Sequence, residues 1–446
     1  MSRMFASLSE RNYRVWFAGG LVSNVGTWMQ RIAQDWLVLT QLTDHSGTAT
    51  GIVTGLQFLP ILLLSPYAGL IADRMSKLKM LKITQAASGV LALLLGLLVL
   101  TDVAQLWHVY IIAGLLGVVA AFDGPPRQAL VNDLVPHRLV PNAVSLNATS
   151  FNAARLAGPG IAGLLIALIG TGWLFLLNAA SYVAVIIALS AMKEKNFYGT
   201  QKRVPRSKGQ VRAGVRYVLG SPTLIMIFVV AFVVGTFGLN FQIYNAVMTT
   251  TVFNQGPEAY GFVGTIMAIG TLGGALLAAR RQGSRIKYAV GGALVFGVFA
   301  IAAAYSPQFW LFALLLIPTG LASITFLNSA NVTVQMNVEP AYRGRVMALY
   351  MMVLQGGTPI GAPLMGWVAE TFGARASLAL GGGLSLLAAL WAIFYWARHH
   401  RGELGGRLRL YRDQLRERVL PHRGDDEEPE PGGASGAGPE AGPKPA

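Results

Sequence analysis

Asp35 and Arg31 stand four residues apart in a long apolar run near the start of the chain. On a helix that spacing puts a carboxylate and a guanidinium on one face, where they can pair. Asn24, Thr27 and Gln34 follow at helical spacing, so a polar stripe runs along an otherwise apolar segment. Charge in such a segment is costly and needs a reason. One reason is structural, a salt bridge turned into a helix bundle. The other is chemical, a carboxylate facing a cavity that takes up and releases a proton. Arg155 carries a further charge within a second apolar run. It can attract an anionic ligand or pair with Asp35.

Other chemistries are poorly provided for. There is no cysteine, so a disulfide framework, a thiolate metal site and a thiol nucleophile are excluded. The six histidines, His45, His108, His137, His399, His400 and His422, fall in expected loops or the tail. No Gly-x-x-x-x-Gly-Lys-Ser/Thr phosphate loop is present. No nucleophile and base can be placed by motif. The expectation is therefore a protein that is not an enzyme, with no cofactor and no metal.

The net charge of +15 would suggest nucleic acid on a soluble protein. Here 53% of residues are hydrophobic, 12% are charged and the mean hydropathy is +0.51. Soluble domains carry about 25% charged residues. This is a polytopic membrane protein, and its charge reports topology rather than a nucleic-acid partner. Met1 to Arg14 runs directly into a long span, so no cleavable leader is expected.

The hydropathy divides into twelve spans near 14–40, 49–70, 82–101, 108–126, 143–169, 173–192, 221–246, 259–279, 288–305, 309–330, 347–369 and 376–397. Each is close to the ~20 residues a helix needs to cross a hydrocarbon core. In lipid the backbone must satisfy itself, and the runs do not alternate as barrel strands do, so the class is all-α. With the N-terminus in the cytoplasm, 32 of the 35 Lys and Arg fall on the cytoplasmic side. Arg375 is the only outer one, and Arg31 and Arg155 lie within spans. Basic residues mark cytoplasmic segments, so both termini are expected inside.

The longest inner loop, within a basic linker at 193–220, separates six spans at 1–192 from six at 221–397. It reads as a solvated linker near anionic lipid, with partner binding as the other option. An offset of 204 residues places Pro136 on Pro340, Pro159 on Pro363 and Ala162 on Gly366, so the halves repeat. The tail at 398–446 is basic and amphipathic to Arg423, then rich in Gly, Pro, Ala and Glu and expected to be disordered.

Between the second and third spans lies Gly69-Leu-Ile-Ala-Asp73-Arg74-Met-Ser-Lys77-Leu-Lys79. This Gly-x-x-x-Asp-Arg loop with basic residues resembles the signature of the major facilitator superfamily. Ser76 stands for its second glycine and Leu78 for one of its basic pair. Phe122-Asp123-Gly-Pro-Pro-Arg127-Gln-Ala, followed by Leu134-Val-Pro and Pro141-Asn-Ala, resembles the branch of enterobactin and macrolide exporters. Gly158-Pro159-Gly-Ile-Ala-Gly163 resembles the bend motif of the superfamily's proton-coupled antiporters, with Ala154 and Ala162 where it has glycines.

The resemblance implies two pseudo-symmetric six-helix bundles, alternating access to a midplane site, and a monomer. It implies that Lys77 or Arg74 pairs with Asp123, and that Asp73 faces the start of span 11 near Met347, with Arg343 and Arg345 beside it. These contacts, with Gly69 and Arg127, would form an inner gate; the alternative is unrelated surface ion pairs. Arg155, Gly158, Pro159 and Gly163 would form the antiporter-like bend. Asn24 and Gln34 of span 1, Phe237, Asn240, Phe241 and Tyr244 of span 7, and Gln355 of span 11 are candidates for the substrate cavity, ordinary packing being the alternative for the last two groups.

The function expected is secondary active export of a small amphipathic molecule, drug, macrolide or siderophore-like, from the bacterial inner membrane. Protons are the coupling ion and membrane lipid the surroundings. Uptake by symport or uniport, a membrane-embedded lipid enzyme and a non-transporting sensor are the rivals.

Overall fold

In the computed structural model, residues 3–72, 75–192, 194–198, 210–279 and 286–399 are described. Asp73, Arg74, most of the linker, Arg280 to Arg285 and the tail from 400 lie outside them. The first six long helices are α1 (Arg11–Trp36), α2 (Gly47–Ala72), α3 (Lys77–Leu100), α4 (Leu106–Asp133), α5 (Val140–Ile169) and α6 (Thr171–Ala191). Then follow α7 (Gln210–Leu219), α8 (Pro222–Val233), α9 (Phe241–Val247), α10 (Pro257–Ala279), α11 (Ile286–Ala304), α12 (Phe309–Met336), α13 (Pro340–Gly356), α14 (Thr358–Phe372) and α15 (Ala374–His399). Among the described residues no strand occurs.

Ten of the described helical segments are long and apolar enough to cross a membrane. Two expected spans are not among them. Segment α1 is diluted by its own polar stripe. Span 11 is broken at Gly357, between the end of α13 and the start of α14 at Thr358, and Pro359 in the first turn of α14 has no N–H to continue the ladder. A side chain at Gly357 would strike the Thr236 hydroxyl, so the glycine also admits a close neighbour. Span 7 is likewise interrupted: α8 passes into a π-helical stretch at Val234–Gly238, and α9 into another at Met248–Val252. Such stretches widen the helix locally and shift its register.

Span 4 ends later than the hydropathy suggests, since α4 continues through Pro125 and Pro126 to Asp133. The linker is not all loop either. Its end forms α7, which packs on α13 through stacked Tyr217 and Tyr342, 4.8 Å apart.

α1 to α6 pack on one another, α3 on α6 and α2 on α4 most extensively. The later helices do the same through α10, α11 and α12. The two groups meet where α2 lies on α14 and α5 on α10. The offset of 204 residues carries α2 to α10 and α5 to α13–α14, so these two contacts are each other's counterparts. Among the described residues, the glycines with positive φ are Gly170 and Gly373, which end α5 and α14 one residue out of register with that offset.

Small residues make these contacts close. A Cβ on Gly47 would lie 2.7 Å from the Gly366 carbonyl, and one on Gly55 3.0 Å from that of Pro359. On the other contact, a Cβ on Gly163 would lie 2.5 Å from the Pro257 carbonyl. Helices in lipid gain little from apolar burial against one another, so backbone approach of this kind carries the association. Leu168, Ile187, Leu276, Leu314, Leu387 and Phe394 point outward and exposed, as a lipid-facing surface requires.

Candidate functional site

The face of the molecule that holds residues 75–79, 133–139 and 337–345 carries most of the described basic loop residues, and we call it the basic face. A cavity of about 500 Å³ runs from Trp16, Asp123 and Arg127 near that face to Gln34 and Gln57 deeper in. Beyond Gln57, towards the opposite face, the glycine contacts of α2 with α14 and α5 with α10 close the space. All its walls come from α1 to α6.

Asp35 lies at the deep end of α1, only 4% exposed. Its Oδ2 accepts a hydrogen bond from the Tyr260 hydroxyl of α10, at 3.0 Å. Tyr260 is also fixed by stacking on Trp36, with ring centres 6.3 Å apart. The bond thus ties the first group of helices to the second. Sequence reasoning found Asp35 but not Tyr260, whose partner lies 225 residues away. Arg31 forms no ion pair with Asp35. Among the described residues the ion pairs are Lys77–Asp133 and Arg127–Asp123. The Arg31 guanidinium instead lies 5.1 Å from the centre of the Trp28 ring, and that of Arg155 lies 5.8 Å from the same ring.

Lys77 is paired with Asp133 at 2.5 Å and not with Asp123; Arg74, the other partner expected for Asp123, lies outside the described residues. α3 and α4 run antiparallel, so Lys77 at the first turn of α3 meets the last residue of α4. Asp123 lies ten residues further in, about 15 Å along the helix. There it accepts from Thr84 Oγ1 at 2.7 Å, Gln85 Nε2 at 2.9 Å and Arg127 Nε at 2.5 Å. Arg127 also lies over the Trp16 ring at 5.4 Å. Asp133 was missed because the hydropathy ended span 4 at residue 126.

Of the remaining gate residues, Gly69 is half-buried near the end of α2. α13 starts at Pro340, about two turns before Met347. Arg343 is exposed, and Arg345 lies over Tyr342 at 5.7 Å. Their relation to Asp73 and Arg74 falls outside the described residues.

In the bend, Pro159 sits within a continuous α5, against Gly261 and Gly264 of α10. A Cβ on Gly158 would lie 2.6 Å from that of Trp28, so this glycine lets Trp28 approach α5.

Asn24 and Gln34 do line the cavity. Asn24 Nδ2 donates to Ser150 Oγ at 3.5 Å. Gln34 is 1% exposed; its Oε1 accepts from Gln57 at 3.4 Å, and its Nε2 has no partner. The span 7 stripe does not line this cavity. Asn240 Nδ2 donates to the Thr236 carbonyl at 2.8 Å, Tyr244 donates to the Phe237 carbonyl, and Phe241 packs edge-on against Tyr244 and Phe296. The break at Leu239–Asn240 turns these side chains into the packing of the later helices. Gln355 is exposed, with Nε2 3.9 Å from the Met351 sulfur.

A second link between the groups was not anticipated. At the opposite face, Glu370 of α14 accepts from Ser46 Oγ at 2.7 Å and from the Thr48 N–H at 3.1 Å. It caps the first turn of α2 from across the contact. A cap of this kind contributes about 1 kcal/mol. Glu370→Ala is therefore expected to open the α2–α14 contact about fivefold more often. A cysteine at the buried Ala49, the only one in the chain, reads this as faster labelling by an impermeant maleimide. Equal labelling in both backgrounds refutes the latch.

The chain matches the family described as transmembrane secretion effector over residues 2–425. It is 28% identical over 368 residues to the staphyloferrin A transporter of Staphylococcus aureus, covering 81% of this chain and 90% of that one. It is 25% identical to the multidrug efflux pump Tap of Mycolicibacterium fortuitum, covering 80% and 89%. In fold it is similar to a bacterial homologue of the human lysosomal transporter Spinster in an inward-facing, unoccupied conformation. That match has a TM-score of 0.65, 14% identity, and coverage of 89% of this chain and 96% of that one. The D-xylose–proton symporter gives a TM-score of 0.62 at 15% identity, covering 85% and 96%.

Proposed function

Because the chain belongs to the transmembrane secretion effector family of the major facilitator superfamily, we propose that this transporter exports a small amphipathic molecule from the bacterial cytoplasm in exchange for protons. The ten apolar segments, with α1 and the broken α13–α14, make twelve spans in two pseudo-symmetric bundles. The basic face is cytoplasmic by the positive-inside rule, and both termini lie there. The conformation described is then inward-facing: the cavity opens to the cytoplasm, and the α2–α14 and α5–α10 contacts close the outside. The relative named as a multidrug efflux pump favours export.

The observation that carries the proton coupling is the buried Tyr260–Asp35 hydrogen bond across the two bundles. Hydrogen bonds to a charged acceptor are stronger than those to a neutral one, so the bond favours Asp35 as carboxylate while the outside is closed. Opening the outside draws α10 from α5 and removes the donor. Asp35 then takes a proton from outside. Closure restores Tyr260, and the proton leaves to the cytoplasm. Proton binding and bundle movement become one equilibrium, biased by a differential contact.

Tyr260→Phe keeps the ring and its stacking but removes the donor. In proteoliposomes its transport is expected to need a more alkaline cytoplasmic side than the wild-type protein, by about one pH unit for one charge-assisted bond. An unchanged pH profile in Tyr260→Phe defeats this mechanism.

A further inference from the structure

Arg31 and Arg155 share one aromatic ring and neither touches an acid; Asp35 acts on Arg31 only from beyond ion-pair distance. Their guanidinium carbons lie 5.1 and 5.8 Å from the centre of Trp28, close enough for Arg31 to act electrostatically on Arg155. Among the described residues neither forms an ion pair. The carboxylate best placed for Arg31, Asp35 one turn along α1, is held by Tyr260 instead. An indole face attracts a cation but does not replace a counter-ion for two of them. Two half-buried like charges on neighbouring helices therefore point to a missing anion.

The surroundings fit such a ligand. Arg31, Asn24 and Phe151 line the cavity, and Phe151 stands edge-on to Trp28 with ring centres 5.8 Å apart. Two planar donors, an amide and an aromatic wall are the groups that bind a planar oxyanion attached to an apolar body. Lysine at either position would supply charge without that fork.

We propose that the Arg31–Trp28–Arg155 cluster seats the anionic group of the transported molecule, an amphipathic organic solute bearing a carboxylate. The proposal rests on the reading of this cavity as the transport site. While the outside is closed, Tyr260 holds Asp35 and leaves Arg31 to the solute. When the outside opens, Tyr260 withdraws, Asp35 takes its proton, and the solute leaves outward. The interior-negative membrane potential drives an anion in that same direction.

The test uses the full chain in nanodiscs of phosphatidylcholine at fixed pH. The probes are carboxyfluorescein and rhodamine 6G, which share a xanthene body and differ in charge. Carboxyfluorescein is expected to bind, with about tenfold weaker affinity in Arg31→Gln and in Arg155→Gln, and with Arg155→Lys between. Citrate is expected to compete. Melting temperatures of the variants report whether they fold. Carboxyfluorescein binding equal in a folded Arg155→Gln and the wild-type protein overturns the proposal. So does displacement by phosphatidylglycerol but not by citrate, which assigns the cluster to a lipid headgroup. Arginine-dependent carboxyfluorescein binding without proton-linked flux of either probe, measured with the same protein in sealed proteoliposomes, keeps the anion seat and removes the exporter reading. Proton-linked flux of rhodamine 6G with no carboxyfluorescein binding does the reverse.

Discussion

Asp35→Asn is expected to abolish transport driven by a pH gradient while leaving the protein folded. Asparagine keeps the shape, and its carbonyl still accepts the Tyr260 hydrogen bond that Oδ2 accepts at 3.0 Å. It cannot take up or release a proton. Loss of a group that carries the transferred proton costs on the order of a hundredfold or more in rate. Solute exchange at equal pH on both sides needs no net proton movement, so it is expected to persist in proteoliposomes. That split separates a coupling residue from a structural one, because misfolding would remove both activities. A pH gradient that drives flux equally well in Asp35→Asn and the wild-type protein would remove Asp35 from the mechanism.

The second large effect is on stability. Asp123→Ala is expected to destabilise the protein by about 2 kcal/mol, the pair being half-buried against the cavity. The carboxylate accepts from Thr84, Gln85 and Arg127 at once, at 2.7, 2.9 and 2.5 Å. Alanine leaves Gln85 without its acceptor and the Arg127 guanidinium without its counter-ion beside Trp16, while Thr84 falls back on the Leu81 carbonyl at 3.0 Å. Removing one side of a half-buried pair still leaves the other charge without its partner, so Asp123→Ala with Arg127→Met is expected to recover part of the loss. Thermal unfolding in detergent measures it. A melting temperature within a degree of the wild-type value for Asp123→Ala would mean that the network contributes nothing.

Much of the fold was legible in the sequence because lipid leaves few options. Apolar runs of the right length must be helices, and their order and the repeat at 204 residues follow from counting. What hydropathy misses is anything decided by packing. The break at Gly357 and the π-helical stretches of span 7 are as apolar as the helices around them. Pro125 and Pro126 suggest an end to span 4, yet α4 runs on to Asp133, where its side chain meets Lys77. The pairing of Lys77 with Asp123 comes from the resemblance, and hydropathy alone holds nothing to show that α4 carries Asp133 to Lys77 instead.

The site was half legible for the same reason. Asp35, Arg31 and Arg155 stand out because charge in an apolar run is rare. Their partners do not stand out. Tyr260 and Trp28 are ordinary aromatic residues in apolar segments, and only the folded chain brings Tyr260 to Asp35 and Trp28 to both arginines. Spacing on α1 suggested an Arg31–Asp35 pair, but it could not reveal that α10 offers Asp35 a donor. The span 7 stripe packs among the later helices, as its packing alternative had it, because the backbone breaks at Leu239–Asn240 before α9 begins.

The most direct test of proton-driven export is efflux from cells overproducing the protein. The cells are loaded with a panel of fluorescent amphipathic compounds of either charge and followed before and after addition of a protonophore. Faster efflux of at least one compound, collapsing when the proton gradient collapses, is the expected result. Efflux that persists after the gradient is gone would contradict the coupling, and faster accumulation would contradict the direction.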